Sequence, residues 1–232
     1  MSAADQPFVI AIDGPAASGK SSTAKLVAER LGMHHADSGA VYRAATLARI
    51  GRPGAPESWT PGSVLHEVAG VTLVRAGTSF EIRLSGKVVG DELHEPAITA
   101  VVSLVAKMGP VREWVNELMR SCADEGPIVV DGRDMGTTVF PGAQLKVFLI
   151  AHADERARRR LLQRLGRAPI EDEIAAETAA LQERDAKDAV QTRQAPDAVV
   201  IDTTHLTQGE QVERIVELAK DRLARTSTHG AT

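Results

Sequence analysis

"AIDGPAASGKSSTAKLVAERLG", residues 11–32, is the stretch on which the fold class turns. It opens inside a short apolar run, "FVIAI" (8–12), which turn residues bound as they bound a strand buried on both faces. It closes with Ala24, Val27, Ala28 and Leu31 at helical spacing and Gly32 placed to end the helix. Between strand and helix, Gly14-Pro15-Ala16-Ala17-Ser18-Gly19-Lys20-Ser21 satisfies G-x-x-x-x-G-K-[ST], with Ser22 next. A connecting loop could carry the same letters. A loop that holds phosphates also needs small residues, so that backbone N–H groups can turn inward around the oxygens. It needs a helix whose first N–H groups and positive dipole end face the anion. Both conditions are met, so residues 14–22 are expected to bind the phosphates of a nucleotide. Lys20 would bridge the β- and γ-phosphates, and the Ser21 hydroxyl would ligate Mg²⁺.

Working outward, "PIVVDG" (127–132), "LKVFLI" (145–150) and "DAVVID" (197–202) are further short apolar runs, most of them separated by helical stretches. The alternation indicates an α/β fold, a parallel sheet wound by helices on both faces. Asp131, at the end of one such strand, is a candidate ligand for Mg²⁺, directly or through water. One region breaks the rhythm. "VTLV" (71–74), "FEIRL" (80–84) and "KVVG" (87–90), joined by glycine-bearing turns, suggest a small antiparallel meander after a loop rich in proline and glycine. The chain therefore reads as a single domain over residues 1–232 with insertions at roughly 60–110 and 154–168. The tail "RTSTHGAT" reads as frayed.

Composition narrows the class. The chain has 232 residues, 43% hydrophobic and 25% charged, with net charge −4, so no global basic field argues for nucleic acid or an anionic membrane. A single cysteine, Cys122, excludes an internal disulfide framework. "MSAADQPFVIAIDG" lacks the basic start and apolar core of a signal peptide, and no run approaches the length of a membrane span. A cytoplasmic protein is expected, and a monomer, because no heptad or large apolar stripe is visible. The guanine-reading Asn-Lys-x-Asp of GTPases is absent, which leaves a kinase for a small acceptor ahead of a switch or a motor.

"ADSGAVYR" (36–43), "VDGRDMGTTVFPGAQLKVFL" (130–149) and "QERDAKD" (182–188) make the reading narrower. Together with the first loop, they make the chain resemble the bacterial cytidylate kinases, in order, from about residue 8 to 222. The resemblance implies a P-loop kinase fold, with ATP as donor, CMP and dCMP as acceptors and Mg²⁺ as cofactor. It implies that Arg43 and Arg133 hold the acceptor phosphate, where a guanidinium fork suits a dianion. Ser38 and Tyr42 would line the same cleft, and Asp37 would face the phosphate loop as a water-mediated metal ligand. Ser103, Arg112 and Asp134 would read the base. Cytosine offers an amino donor at N4, which suits a carboxylate, and an acceptor at N3, which suits a guanidinium. Arg184 and Asp188 would meet the ribose. Gln191 stands where the family commonly has an arginine, and Arg193 is the candidate replacement. "DERARRRLLQRLGR" places Arg156, Arg160, Arg164 and Arg167 on one helical stripe, beside Arg158 and Arg159. It is read as a lid over the transferred phosphoryl group, with Arg160 as a catalytic candidate. No histidine falls in a motif, and His34 and His35 are read as the end of a connection. Kinases for UMP, AMP or shikimate, and a nucleotide-dependent regulatory module, are the rival readings.

Overall fold

A computed structural model of the chain describes residues 7–229, with side chains through residue 225. The opening residues 1–6, part of the stretch read for a leader, and the last three of the tail lie outside the described residues. The strands are β1 (Val9–Asp13), β2 (His34–Asp37), β3 (Val71–Ala76), β4 (Ser79–Leu84), β5 (Lys87–Val89), β6 (Ile128–Gly132), β7 (Leu145–Ile150) and β8 (Val199–Asp202). The helices are α1 (Lys20–Leu31), α2 (Ser38–Ile50), α3 (Pro61–Glu67), α4 (Pro96–Val105), α5 (Gly109–Ala123), α6 (Ala153–Leu165), α7 (Glu171–Asp188) and α8 (Gln208–His229). Helix α8 reaches well into the tail that was expected to fray. Among the described residues, no helix is long and apolar enough to cross a membrane.

One sheet runs β3-β4-β2-β6-β1-β7-β8, with β5 beside β4, and β2 through β8 of that order are parallel. Successive side chains of β1 point to opposite faces, and the core divides accordingly. Val9 and Ala11 meet Val41 of α2 and Val115 and Met119 of α5. Ile10 and Ile12 meet Ala24 and Val27 of α1 and Val212 and Ile215 of α8. A third, smaller cluster joins α6 and α7 to the first loop through Ala16, Ala157, Leu161, Ile174 and Leu181.

One sequence expectation changes here. "HHAD" is a central strand, not the end of a connection, because β6 and β4 flank it and supply its hydrogen bonds. The expected antiparallel meander is present as β3, β4 and β5. Ser79 of β4 lies opposite His35 of β2, and this bridge makes the meander an extension of the main sheet.

Register then places the chemistry. Asp13 pairs with Gly132, and Asp37 with Asp131, so three carboxylates arrive together at the carboxyl ends of β1, β2 and β6. Ligands of parallel α/β sheets bind at that edge.

Candidate functional site

The edge opens into one cleft of about 1150 Å³ that runs from residues 16–22 past α2, α4 and β6 to α6, α7 and residues 204–211. Ala16, Ala17, Ser18, Gly19, Lys20, Ser21 and Ser22 line it. Gly14 and Pro15 contribute differently. Their carbonyls accept hydrogen bonds from Arg133 at 2.8 Å and from Lys20 at 2.7 Å. Gly14 has φ 151°, and a Cβ there would lie 2.3 Å from the Leu149 carbonyl oxygen, so only glycine lets the loop pass β7. Gly19, at φ 86°, is the left-handed N-cap of α1 and offers no side-chain cap, which leaves the first N–H groups of the helix available.

The acidic corner is tightly bonded. Ser21 donates to Asp131 Oδ2 at 2.6 Å, and the His35 ring lies 2.7 Å from Oδ1 of the same carboxylate. Burial alone would make His35 less basic, but the bond to Asp131 and its charge carry it above the usual value. Burial, then the Asp131 charge, pushes Asp37 up to about 6. Asp13, which accepts from the N–H groups of Met135 and Gly136 at 2.8 Å each, is pushed up to about 6 by burial. Burial and then Arg133 bring Lys20 down to about 7. Asp37, Asp131 and Ser21 fit a hard cation: the buried Asp131 and half-buried Asp37 carboxylates repel one another beside a hydroxyl oxygen. Among the described residues no group of three or more His, Cys, Asp or Glu could hold a metal alone.

Beyond this corner the cleft is cationic. Arg43 donates to the Leu93 carbonyl at 3.1 Å and to Thr99 Oγ1 at 2.9 Å. Arg133 reaches Asp188 at 3.3 Å, and Arg184 lies 3.7 Å from the same carboxylate. Burial first and the neighbouring Arg184 second bring Arg43 down to about 10. Arg184 is lowered by burial and then by Arg133. At the far wall, Arg112 pairs with Asp134, donates to the Ala106 carbonyl at 3.1 Å and lies 5.9 Å from the centre of the Tyr42 ring. Ser103 lines the same wall. Ser38 lines the cleft too, but its hydroxyl is committed to the Asp131 carbonyl at 2.9 Å.

The arginine stripe does not act as one face. Arg156 turns inward to the first loop, Arg160 and Arg164 share Glu177 at 3.3 and 3.2 Å, and Arg167 pairs with Glu173 on the surface. Arg159, outside the stripe, lines the cleft and donates to the Thr203 and Thr204 carbonyls. Gln191 lines the cleft with its Oε1 buried and unpartnered. Arg193 does not replace an arginine there: it is exposed and bonds the Val190 carbonyl. Sequence reading missed Asp13, His35 and Asp185. Asp13 sat visibly in "AIDG", directly before the loop, and Asp185 inside "QERDAKD" between Arg184 and Asp188, whereas His35 lay outside any recognised pattern and gave no signal.

A family model described as cytidylate kinase matches residues 10–221. Curated relatives that bear that name match over nearly the whole chain. The protein of Geobacillus kaustophilus is 40% identical over 226 residues, covering 92% of this chain and 97% of its own length. That of Limosilactobacillus fermentum is 40% identical over 223 residues, 94% and 96% of the two chains. That of Chlorobaculum tepidum is 38% identical over 220 residues, 92% and 93%.

Proposed function

The chain belongs to the cytidylate kinase family, and from that premise we propose how its residues share the transfer of the γ-phosphoryl group of ATP to CMP, which yields CDP and ADP. The attacking group is a phosphate oxygen of CMP. It is already anionic, so no side chain need remove a proton from it. What the protein must do is bring two anions together in line.

Residues 16–22 wrap the donor phosphates, and Lys20 leaves the Pro15 carbonyl to meet the β- and γ-oxygens. Arg43 and Arg133 hold the acceptor phosphate, while Arg184 and Asp188 meet the ribose of CMP or dCMP. Ser21, Asp37 and Asp131 would hold Mg²⁺, which would supply positive charge against the phosphate oxygens. Arg160 is the lid cation nearest to this role, since it lines the cleft and is lowered by burial, with Glu177 opposing the shift. Closure of α6 and α7 over the phosphates excludes water, which would otherwise take the phosphoryl group. All of these groups come from one chain, so the reading needs no partner subunit.

The observation that supports this best is the crowding of cations. Lys20, Arg43 and Arg184 are each less basic than usual because burial and a neighbouring arginine disfavour their charge. Phosphate oxygens arriving among them relieve both costs. The Arg112–Asp134 pair then reads the base, with Asp134 accepting from N4 of cytosine and Arg112 donating to N3. Uracil reverses both groups and leaves buried charges without partners, which a polar site rejects strongly.

The test is ADP release from Mg-ATP with CMP, dCMP, UMP, AMP, GMP and shikimate offered separately. Release that depends on CMP and is weaker with UMP is expected. Turnover with a different acceptor alone would remove Ser103, Arg112 and Asp134 from the base site. ATP binding without any acceptor-dependent release would point to a regulatory module.

A further inference from the structure

Three successive carbonyls of the phosphate loop each accept from a different cation. Gly14 is held by Arg133 at 2.8 Å, Pro15 by Lys20 at 2.7 Å, and Ala16 by Arg156 at 2.8 Å. On the reading above, Lys20 and Arg133 are drawn to phosphate oxygens when nucleotides bind, which loosens their hold on the loop. Arg156 has no such second task. Its side chain is only 6% exposed, its Nε donates to the Ala151 carbonyl at 3.1 Å, and its Nη1 lies 2.7 Å from Asp185 Oδ2.

Asp185 completes the clamp. Its Oδ1 accepts from the Ala16 N–H at 3.3 Å, so one arginine and one aspartate fix both polar groups of a single loop residue. The next residue, Ala17, has φ 56°. A side chain other than glycine takes that left-handed conformation only where its surroundings hold it. Those surroundings come from the lid and the acceptor helix: Arg156 sits on α6, and Asp185 sits on α7 between Arg184 and Asp188. The small cluster of Ala157, Leu161, Ile174 and Leu181 packs against Ala16 and Ala17 from the same two helices.

We propose that Arg156 and Asp185 are positioning residues which hold the phosphate loop in its left-handed turn at Ala17 while Lys20 and Arg133 attend to phosphates. Neither touches a reacting atom. The shape of the donor pocket is thereby set from α6 and α7, the helices that also carry the lid and the acceptor's sugar contacts. A pair that merely joined α6 to α7 would have no reason to span both groups of Ala16.

The experiment compares Asp185→Ala, Asp185→Asn, Arg156→Met and the Ala/Met double variant with the wild type in the full chain. ADP and CMP affinities are measured separately by calorimetry, together with hydrogen exchange of the Ala16 amide and the melting temperature. Asp185→Ala should weaken ADP by about tenfold or more while CMP changes by less than about threefold, because only the donor pocket loses its shape. The Ala16 amide should exchange faster. The double variant should lose no more ADP affinity than the worse single, since both residues act through one network. Asp185→Asn keeps an acceptor for the Ala16 N–H and should recover part of the loss. Equal losses for ADP and CMP, or unchanged ADP affinity in folded Asp185→Ala, would overturn the proposal. If Asp185→Ala does not fold, the ADP-to-CMP comparison in Asp185→Asn and Arg156→Lys decides it. Wild-type protein without CMP-dependent ADP release would sink the functional reading instead, and the ADP affinities would still stand.

Discussion

Lys20 is a residue at which stability and chemistry pull apart. Its ammonium is buried, and its folded value of about 7 lies below the ordinary 10.5. Between those two pH values the unfolded chain binds more protons than the folded one, so stability rises with pH across that window. Below pH 7 the charged lysine exacts its full cost, and above about 10.5 it exacts none. Lys20→Met removes that cost along with the bond to the Pro15 carbonyl. The variant should lose phosphoryl transfer by roughly 100-fold or more. At pH 6–7 and without nucleotide it should nevertheless melt at least about 2–4 °C higher, for a gain of roughly 1 kcal/mol. The gain should fade as the pH rises from 7 toward 10. Melting curves across that range check it; a variant less stable than wild type at pH 6 would contradict it. Asp134 poses a different trade. Its carboxylate is buried at the far wall against the half-buried Arg112, and an amide there can accept from cytosine or donate to uracil. Asp134→Asn should therefore narrow the CMP-to-UMP ratio of kcat/KM by about 10–100-fold, the value of one good polar pair at a base edge. An unchanged ratio would take Asp134 out of base reading.

At the scale of elements, the turn from β1 to α1 is fixed by one close approach. An alanine at position 14 would press its Cβ into the Leu149 carbonyl oxygen at 2.3 Å, at a φ of 151° that side chains rarely adopt. Gly32, the left-handed C-cap of the same helix, has φ 64° but nothing within 4 Å. The two substitutions separate steric conflict from conformational strain. Gly32→Ala should cost about 1 kcal/mol, and Gly14→Ala about 3 kcal/mol or more because the backbone of β7 cannot yield. Urea unfolding midpoints measure both. The strand–loop–helix unit was legible because its apolar run, small residues and helical spacing all lie within about twenty residues. Strands β6, β7 and β8 were legible for the same local reason. Strand β2 was not, because "HHAD" is no apolar run. It becomes a strand only between β6 and β4, and His35 is tolerated in the interior only because Asp131 bonds it at 2.7 Å. Periodicity likewise put Arg156 on a stripe with Arg160 and Arg164. It could not show that the first turn of α6 abuts Ala16, a contact between residues 140 positions apart.

Across the whole molecule, stability should not be uniform. Two clusters cover the faces of the sheet, and each draws on the buried strands β1 and β6. The third, under α6 and α7, has only five buried residues among those described and includes Ala16 of the phosphate loop. Such a unit can open while the sheet stays closed, which is what a lid must do to admit and release nucleotides. Leu161, with 2% of its surface exposed, sits at the centre of that cluster. Leu161→Ala should cost about 2–5 kcal/mol locally, the usual range for a buried leucine. Its effect should fall on the lid. Amides of residues 153–188 should exchange faster, those of β1 and β6 should keep their protection, and the KM for ATP should rise because an open lid holds the donor poorly. Faster exchange spread evenly over the sheet would mean instead that lid and sheet unfold as one body, so that closure is carried by movement of a rigid helix pair.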